Sequence, residues 1–385
     1  MPWPRDDAKL ERVRTLMDEA ALDALVVRAP DNVVYLTNFW PMKGYDAVVF
    51  PREGEPTLIC LEASADDAAR TAWTDDVRLF AGYHPRDARP PTARTLDLAR
   101  DAARAYDRVG LELSLGTQAS DRMVGEPTTY TREWFDAFSD AADAAPLLAR
   151  ARATKTAQEI ERMRLANAIA AAAMEHVAQE LQPGMRESEA AALWEGFVHG
   201  SGTGWGGKVE LALGYSLVWS GPGIRTFTAT ADRPVQEHEP TLFEIWVCAD
   251  GYWCDHTKNV CPGQLRDDYA ELEQRLMDVY TSAIDSCRPG GALAGLDLRI
   301  REGIAAAGYP GQPSHPVCHG VGARAHEPPY AHQAGTGTID EGMVLAIEPG
   351  IYWDGGGGLR VEDNFLITTD GAEKLSSFPD GIVRT

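Results

Sequence analysis

No cysteine pair in this chain is spaced Cys-x-x-Cys, no apolar run is long enough to span a bilayer, and basic residues are scarce. Each absence excludes something. The six cysteines, Cys60, Cys248, Cys254, Cys261, Cys287 and Cys318, offer neither a zinc ribbon nor a thioredoxin-type redox pair. They read as reduced thiols in a reducing compartment. A membrane span needs about 20 consecutive apolar residues, so no membrane partner is expected. The opening MPWPRDDAKLERVR has no apolar signal region, and the expected location is cytoplasmic. Against 36 Lys and Arg stand 58 Asp and Glu, a net charge of −22, which argues against nucleic acid as a partner. The glycine-rich GSGTGWGGK is not closed by Gly-Lys-Ser/Thr, so it reads as a loop rather than a phosphate cradle.

What the chain does have is length and pattern. Its 385 residues predict two domains, 1–148 and 149–385, with the boundary near Ala145-Pro146 to Thr156. In the first, an amphipathic helix over 6–21 places Leu10, Val13 and Met17 on one face. Strands are expected at Leu25–Val27, at Val33–Leu36 after a turn over Ala29–Asn32, and in a hairpin of Ala47–Phe50 with Thr57–Leu61. Helices around 63–72 and 95–105 alternate with strands near 77–81 and 108–112. The result is an α/β domain with a mixed sheet and no legible cluster of titratable groups.

The second domain opens with Thr156-Ala157-Gln158-Glu159, a capping-box signature. The helix it starts runs to about Leu181, with Ile160, Met163, Ala170, Met174 and Val177 on one stripe. Asn167 interrupts that stripe and reads as tolerated rather than functional. Further helices are expected at about 187–199, 267–287 and 296–307. The rest is strands and loops.

The organising stretch is Pro240 to Asp255, PTLFEIWVCADGYWCD, a strand, an Asp250-Gly251 turn and a return strand. Alternation puts Phe243, Ile245 and Val247 on an apolar face and Glu244 with Trp246 on the other. Trp253 and Asp255 share a face of the return strand, so the hairpin can bring Glu244 and Asp255 together. Facing carboxylates repel unless a proton or cation lies between them. Further ligand types follow downstream. His319 precedes Gly320 and Gly322, where backbone can approach closely. Glu348 follows Val344 and Ala346 on one face, and Glu362 shares a face with Arg360 and Asn364. Four carboxylates and one imidazole suit a paired site for manganese, iron or cobalt. Structural zinc fits poorly without a thiolate ligand. Cys318, beside His319, reads as a small side chain filling space rather than as a nucleophile.

Together, Glu244 to Asp255 with Thr257-Lys258, His319-Gly320-Val321-Gly322, His326-Glu327-x-Pro329, Glu348-Pro349-Gly350 and Arg360-x-Glu362-Asp363 resemble the M24 metallopeptidase family. This is the pita-bread fold of prolidases, aminopeptidases P, methionine aminopeptidases and creatinase. The resemblance covers the whole chain and implies an N-terminal creatinase/prolidase-type α/β domain ahead of a pita-bread catalytic domain. It implies two divalent metal ions on Glu244, Asp255, His319, Glu348 and Glu362, and His326 stabilising a tetrahedral intermediate. Arg360 would support the metal carboxylates, and a homodimer is expected. The implied activity is cleavage of a peptide bond before proline, with Glu348 shuttling the proton.

Two departures stand out. Glu244 replaces the family's usual Asp, an extra methylene that moves the carboxylate by roughly 1.5 Å at most. The substrate-contacting His that follows Ser-Gly in the family has no counterpart; its place falls near Thr226 or Phe227. Two other readings therefore stay open. One is a non-peptidase acting on a small metabolite, as creatinase or ectoine hydrolase does. For a cationic metabolite, Trp246 and Trp253 flank the acids, and Trp219, Trp205 and Phe227 lie nearby in sequence. The other is an inactive binding homologue.

Overall fold

The computed structural model describes residues 3–42, 44–113, 128–353 and 356–385. The chain divides into two compact units, Met1–Arg152 and Ala153–Thr385. The division falls near the end of the helix Ala145–Ala153.

The first unit runs α1 (Asp7–Glu19), β1 (Ala24–Val27), α2 (Pro30–Thr37), β2 (Ala47–Pro51), β3 (Thr57–Leu61), α3 (Ala65–Thr71), β4 (Val77–Phe80), α4 (Pro91–Ala103), β5 (Val109–Leu111), α5 (Thr128–Ala137), β6 (Ala142–Asp143) and α6 (Ala145–Ala153). Its six-stranded sheet has the order β4-β3-β2-β1-β5-β6. The pairs β1–β2 and β2–β3 are antiparallel, and the rest are parallel, so the sheet is mixed as expected. Val26, Val49 and Ile59 from the sheet pack with Leu96 and Ala99 of α4 and with Trp134 of α5.

One expected strand is a helix. Val33–Leu36 lie in α2, not in an extended segment. Pro30 sits at the first helical position, where its fixed φ and missing N–H cost nothing. Glu112, just past β5, accepts from the backbone N–H of Arg28 and Ala29 at 3.1 and 2.9 Å. A β-branched pair reads as strand, but Glu112 fixes the backbone just before the helix and accepts from the Asn32 side chain in its first turn.

The second unit runs α7 (Ala157–Glu180), α8 (Glu187–Ser201), β7 (Ala212–Ser220), β8 (Thr241–Ala249), β9 (Tyr252–Cys261), α9 (Asp267–Ser286), α10 (Leu293–Ala306), β10 (Cys318–Gly320), β11 (Glu327–Tyr330), β12 (Val344–Ile347), β13 (Gly350–Tyr352), β14 (Gly358–Arg360), β15 (Asp363–Thr368), β16 (Gly371–Lys374) and β17 (Ile382–Arg384). The capping box at Thr156 is formed in both directions, Thr156 with Glu159. Phe243, Ile245 and Val247 of β8 pack with Met174 and Val177 of α7 and Trp194 of α8. A second core joins Leu276 and Tyr280 of α9 and Ile300 of α10 to Leu345, Ile347 and Phe365 of the other sheet.

The two sheets, β17-β9-β8-β7 and β11-β10-β12-β15-β16, meet at a short bridge between Thr257 and Glu362. Asn364 reinforces the seam, accepting from the Asp255 N–H at 3.0 Å and donating to its carbonyl at 2.8 Å. Among the described residues, no helix is long and apolar enough to cross a membrane.

Candidate metal centre

Asp250 and Gly251 adopt φ of 47° and 85°, the left-handed pair a tight two-residue hairpin needs. The turn sets the register: Trp246 faces Asp255, and Glu244 faces Thr257. The return strand thus delivers Asp255 beside the seam. From the other sheet, β10 supplies His319 opposite Ala346 of β12, and Glu348 follows β12. Glu362 sits between β14 and β15, in the bridge to Thr257. The expected single strand with Arg360, Glu362 and Asn364 on one face is broken there, because Val361 and Glu362 donate to Pro349 and Thr257 instead.

These residues converge. Ligand-type atoms of Asp255, His319 and His326 lie within 4.8 Å of one another, as do those of His319, Glu348 and Glu362. His319 Nε2 is 3.7 Å from Asp255 Oδ2 and 3.5 Å from Glu348 Oε1, and His326 Nε2 is 3.4 Å from Asp255 Oδ2. The His319 and His326 rings are 4.3 Å apart. His319 Nδ1 lies 3.0 Å from the Gly320 carbonyl, which turns Nε2 toward the acids. The neighbouring glycines are required by space: a Cβ on Gly320 would lie 2.7 Å from the Pro328 carbonyl oxygen, and one on Gly322 would lie 2.4 Å from Glu327 Oε1.

The electrostatics are those of a site built around a cation. Burial, then the facing Glu362, Glu348 and Glu244, pushes the Asp255 carboxyl far above its ordinary range. Burial and Glu362 do the same to Glu348, and burial lifts Glu362 to about 7. Burial pulls His319 well down, toward the neutral imidazole a metal prefers. Asp255 Oδ2 and His319 Nε2 are buried without a hydrogen-bond partner. Buried polar atoms are nearly always paired, so two facing orphans fit a divalent ion as their missing partner.

Glu244 belongs to neither tight triad but faces Asp255, Glu348 and Glu362. Its carboxylate pairs with Arg360 Nη2 at 2.6 Å. Arg360 is held in turn by Thr257 Oγ1, which accepts from Nε at 2.7 Å, while that hydroxyl donates to Glu362 at 2.7 Å. Trp246 stacks on Tyr215 at 5.5 Å and lies 6.4 Å from the His326 ring. Phe227 is 79% exposed with φ of 56°. The expected aromatic grouping does not form as a whole. Trp219 is buried with Ile224 and Leu242, and Trp205 packs on the α7–α8 core. Cys318 is buried, and burial pushes its thiol well up, so it is packing.

Several partners were invisible in sequence. Asn167 holds His256 in place: its Oδ1 lies 2.7 Å from His256 Nε2, and its Nδ2 donates to the Met163 carbonyl. His315 approaches Glu348 Oε2 at 3.4 Å and the Tyr352 hydroxyl at 3.1 Å. Lys155 and Glu327 form a buried ion pair at 3.1 Å, next to His326 in sequence. Lys258 pairs with Asp363 at 2.6 Å, behind Glu362. Only the Asn167 break in an apolar stripe hinted at any of these.

The family model for metallopeptidase family M24 matches residues 161–369, over half of the chain, and that for the creatinase/prolidase N-terminal domain matches 9–166. The chain is 26% identical to a Xaa-Pro dipeptidase of Lactobacillus delbrueckii subsp. lactis over 94% of its length and 95% of that protein. It is also 26% identical to the Xaa-Pro dipeptidase of Pyrococcus furiosus, over 96% and 97%. The prolidase of Pyrococcus horikoshii superposes with a TM-score of 0.79 at 24% identity, covering 97% and 99% of the two chains. A pita-bread unit whose acids and imidazoles converge at the seam, preceded by a creatinase/prolidase-type α/β unit, makes this chain a member of metallopeptidase family M24.

Proposed function

We propose that the protein is a metal-dependent hydrolase of short peptides, cleaving the bond before proline. The observation that carries this reading is the facing pair of buried, unpartnered ligand atoms, Asp255 Oδ2 and His319 Nε2. Asp255, His319, Glu348 and Glu362 would hold the metal; manganese, iron and cobalt suit this oxygen-rich set. A divalent ion bound there supplies a water of lowered pKa and polarises the scissile carbonyl.

The chain's own groups do the rest. The His326 side chain is 39% exposed where His319 is buried, so His326 is the imidazole a substrate reaches. It donates from Nε2 to the oxyanion that forms on the attacked carbonyl, an interaction typically worth a few kcal/mol. Glu348, with one oxygen 3.5 Å from His319 and the other 3.4 Å from His315, is placed to carry a proton to the leaving nitrogen. Proline specificity follows the two named dipeptidases. Trp246 on Tyr215, beside His326, offers an apolar wall for the substrate, and the place of the family's His falls near Thr226 or Phe227. The same reading includes a cytoplasmic homodimer, which sedimentation would test.

The decisive assay is proline release from a panel of Xaa-Pro dipeptides, after loading with manganese, cobalt or no metal. Release only with metal, and from Xaa-Pro but not Xaa-Ala, is expected. No release with any metal overturns the reading.

A further inference from the structure

We infer that Lys155 and Glu327 are a positioning pair for His326: their buried contact holds the backbone that aims this imidazole at the site. The inference rests on the hydrolase reading and goes beyond it, since neither residue belongs to the converging ligand groups. The two imidazoles of the site are fixed in different ways. His319 is buried, lies within β10 and is held at its own Nδ1 by the Gly320 carbonyl. His326 is 39% exposed and is the last residue of the connection 321–326 between β10 and β11. Its aim therefore depends on how the two ends of that connection are held.

Backbone contacts anchor the first end. The Val321 N–H donates to the Val344 carbonyl at 3.1 Å, and the Gly322 carbonyl accepts from the Trp253 N–H at 2.8 Å. The second end is Glu327, the residue directly after His326 and the partner of Gly320 across a shifted register. Its buried carboxylate lies 3.1 Å from Lys155 Nζ, which is buried as well. Lys155 is itself fixed: its N–H donates to the Gly342 carbonyl at 2.7 Å, and its Nζ to the Ala153 carbonyl at 3.3 Å. The pair also lies against the first end, where a Cβ on Gly322 would meet Glu327 Oε1 at 2.4 Å and Lys155 Cε at 2.9 Å. One contact thus joins both ends of the connection. A buried ion pair tolerates little displacement, because breaking it leaves a charge without its partner. His326 Nε2 stands 3.4 Å from Asp255 Oδ2, and displacing a reacting group by about 1 Å can cost about 10²-fold in rate.

The test separates positioning from stability in the intact protein. Lys155→Met strands Glu327 and should melt lower, whereas Lys155→Met/Glu327→Leu removes both charges and should regain most of the lost melting temperature. Both variants and wild type are loaded with manganese and assayed for proline release and metal per chain. Expected in the double variant is a kcat about 10- to 100-fold below wild type, with KM and metal content within about twofold. A kcat that returns together with the melting temperature would overturn the inference and leave the pair as scaffold. A second readout needs neither activity nor metal. Carbon-13 NMR is recorded on protein labelled at histidine Cε1, with the His326 signal assigned by its loss in His326→Gln. In Glu327→Asp, which keeps both charges, the His326 signal should shift or broaden while that of His315, beside Glu348, stays in place. An unmoved His326 signal, or equal movement of both, would overturn the inference. If wild type releases no proline with any metal, the hydrolase reading fails by itself and the histidine signals decide the inference.

Discussion

Both units of this protein bury carboxylates, and they treat them in opposite ways. In the first unit, Glu112 is fully buried but surrounded by donors: the backbone N–H groups of Arg28 and Ala29 and the Asn32 amide at 2.5 Å. Asp31, an acid that together with burial raises Glu112, is itself neutralised by Arg152 at 2.9 Å. In the second unit, Asp255 faces Glu362, Glu348 and Glu244 as well as two imidazoles. A buried acid met by donors is part of the scaffold. A buried acid met by other acids implies a missing positive charge. Burial alone does not separate structural from functional groups; the sign of what faces them does.

The sharpest way to break this contrast is to remove a converging acid. Glu362→Gln should lower metal-dependent hydrolysis by at least about 10³-fold, the order lost when a group that sets up the nucleophile is removed. Metal per chain should fall in parallel. The metal-free protein should melt no lower, since one buried like charge has gone. A large drop in its melting temperature would place Glu362 in the scaffold class.

Glu112→Ala is the mirror experiment. It strands three donors and should cost about 2–4 kcal/mol of stability in denaturant unfolding. Metal content of the folded protein should not change. A changed metal count would end the division of roles between the units.

Burial moves a buried acid and a buried imidazole in opposite senses with pH. Burial raises Asp46 of the first unit to about 6, although it accepts from the Leu61 N–H. Between pH 4 and 6 the unfolded chain has released this proton and the folded chain retains it. Asp46 therefore lowers stability as pH rises through that window, by about 3 kcal/mol in total. Asp46→Asn should remove the fall. His256 of the second unit is the opposite case, lowered to about 4 by burial. It adds stability above pH 6.5, which is lost as pH falls from 6.5 toward 4. Unfolding curves at closely spaced pH values, on wild type and Asp46→Asn, isolate the Asp46 slope by difference.

Phe227→Ala should produce the smallest stability change, within about 0.5 kcal/mol, because the ring is exposed. If Phe227 contacts substrate, KM rises while kcat and metal content hold. An unchanged KM would remove Phe227 from the binding surface.

Much of this was readable from the chain. Asp250-Gly251 between alternating runs specified the hairpin and its register, because a two-residue turn leaves little freedom. Thr156 and Glu159 announced their helix, because capping is local. Val33–Leu36 misled, because the backbone that leads into their helix is held by Glu112, far along the chain. Trp205 lies near the site in sequence yet packs on the α7–α8 core, whereas Trp219 packs with Tyr352, whose hydroxyl touches Arg360. Lys155 and Glu327 could not be paired from sequence, since nothing local requires the contact.

The sequence by itself determined the ligand types, their order and the strands that carry them, because side-chain alternation and turn chemistry act over a few residues. Only the tertiary structure decided which of those acids meet. The seam at Thr257 and Glu362 brings Asp255, His319 and Glu348 together, and it also brings Arg360 to Glu244. An extra methylene is visible in a sequence, but its consequence depends on a guanidinium more than a hundred residues away, at a distance set by the packing of two sheets.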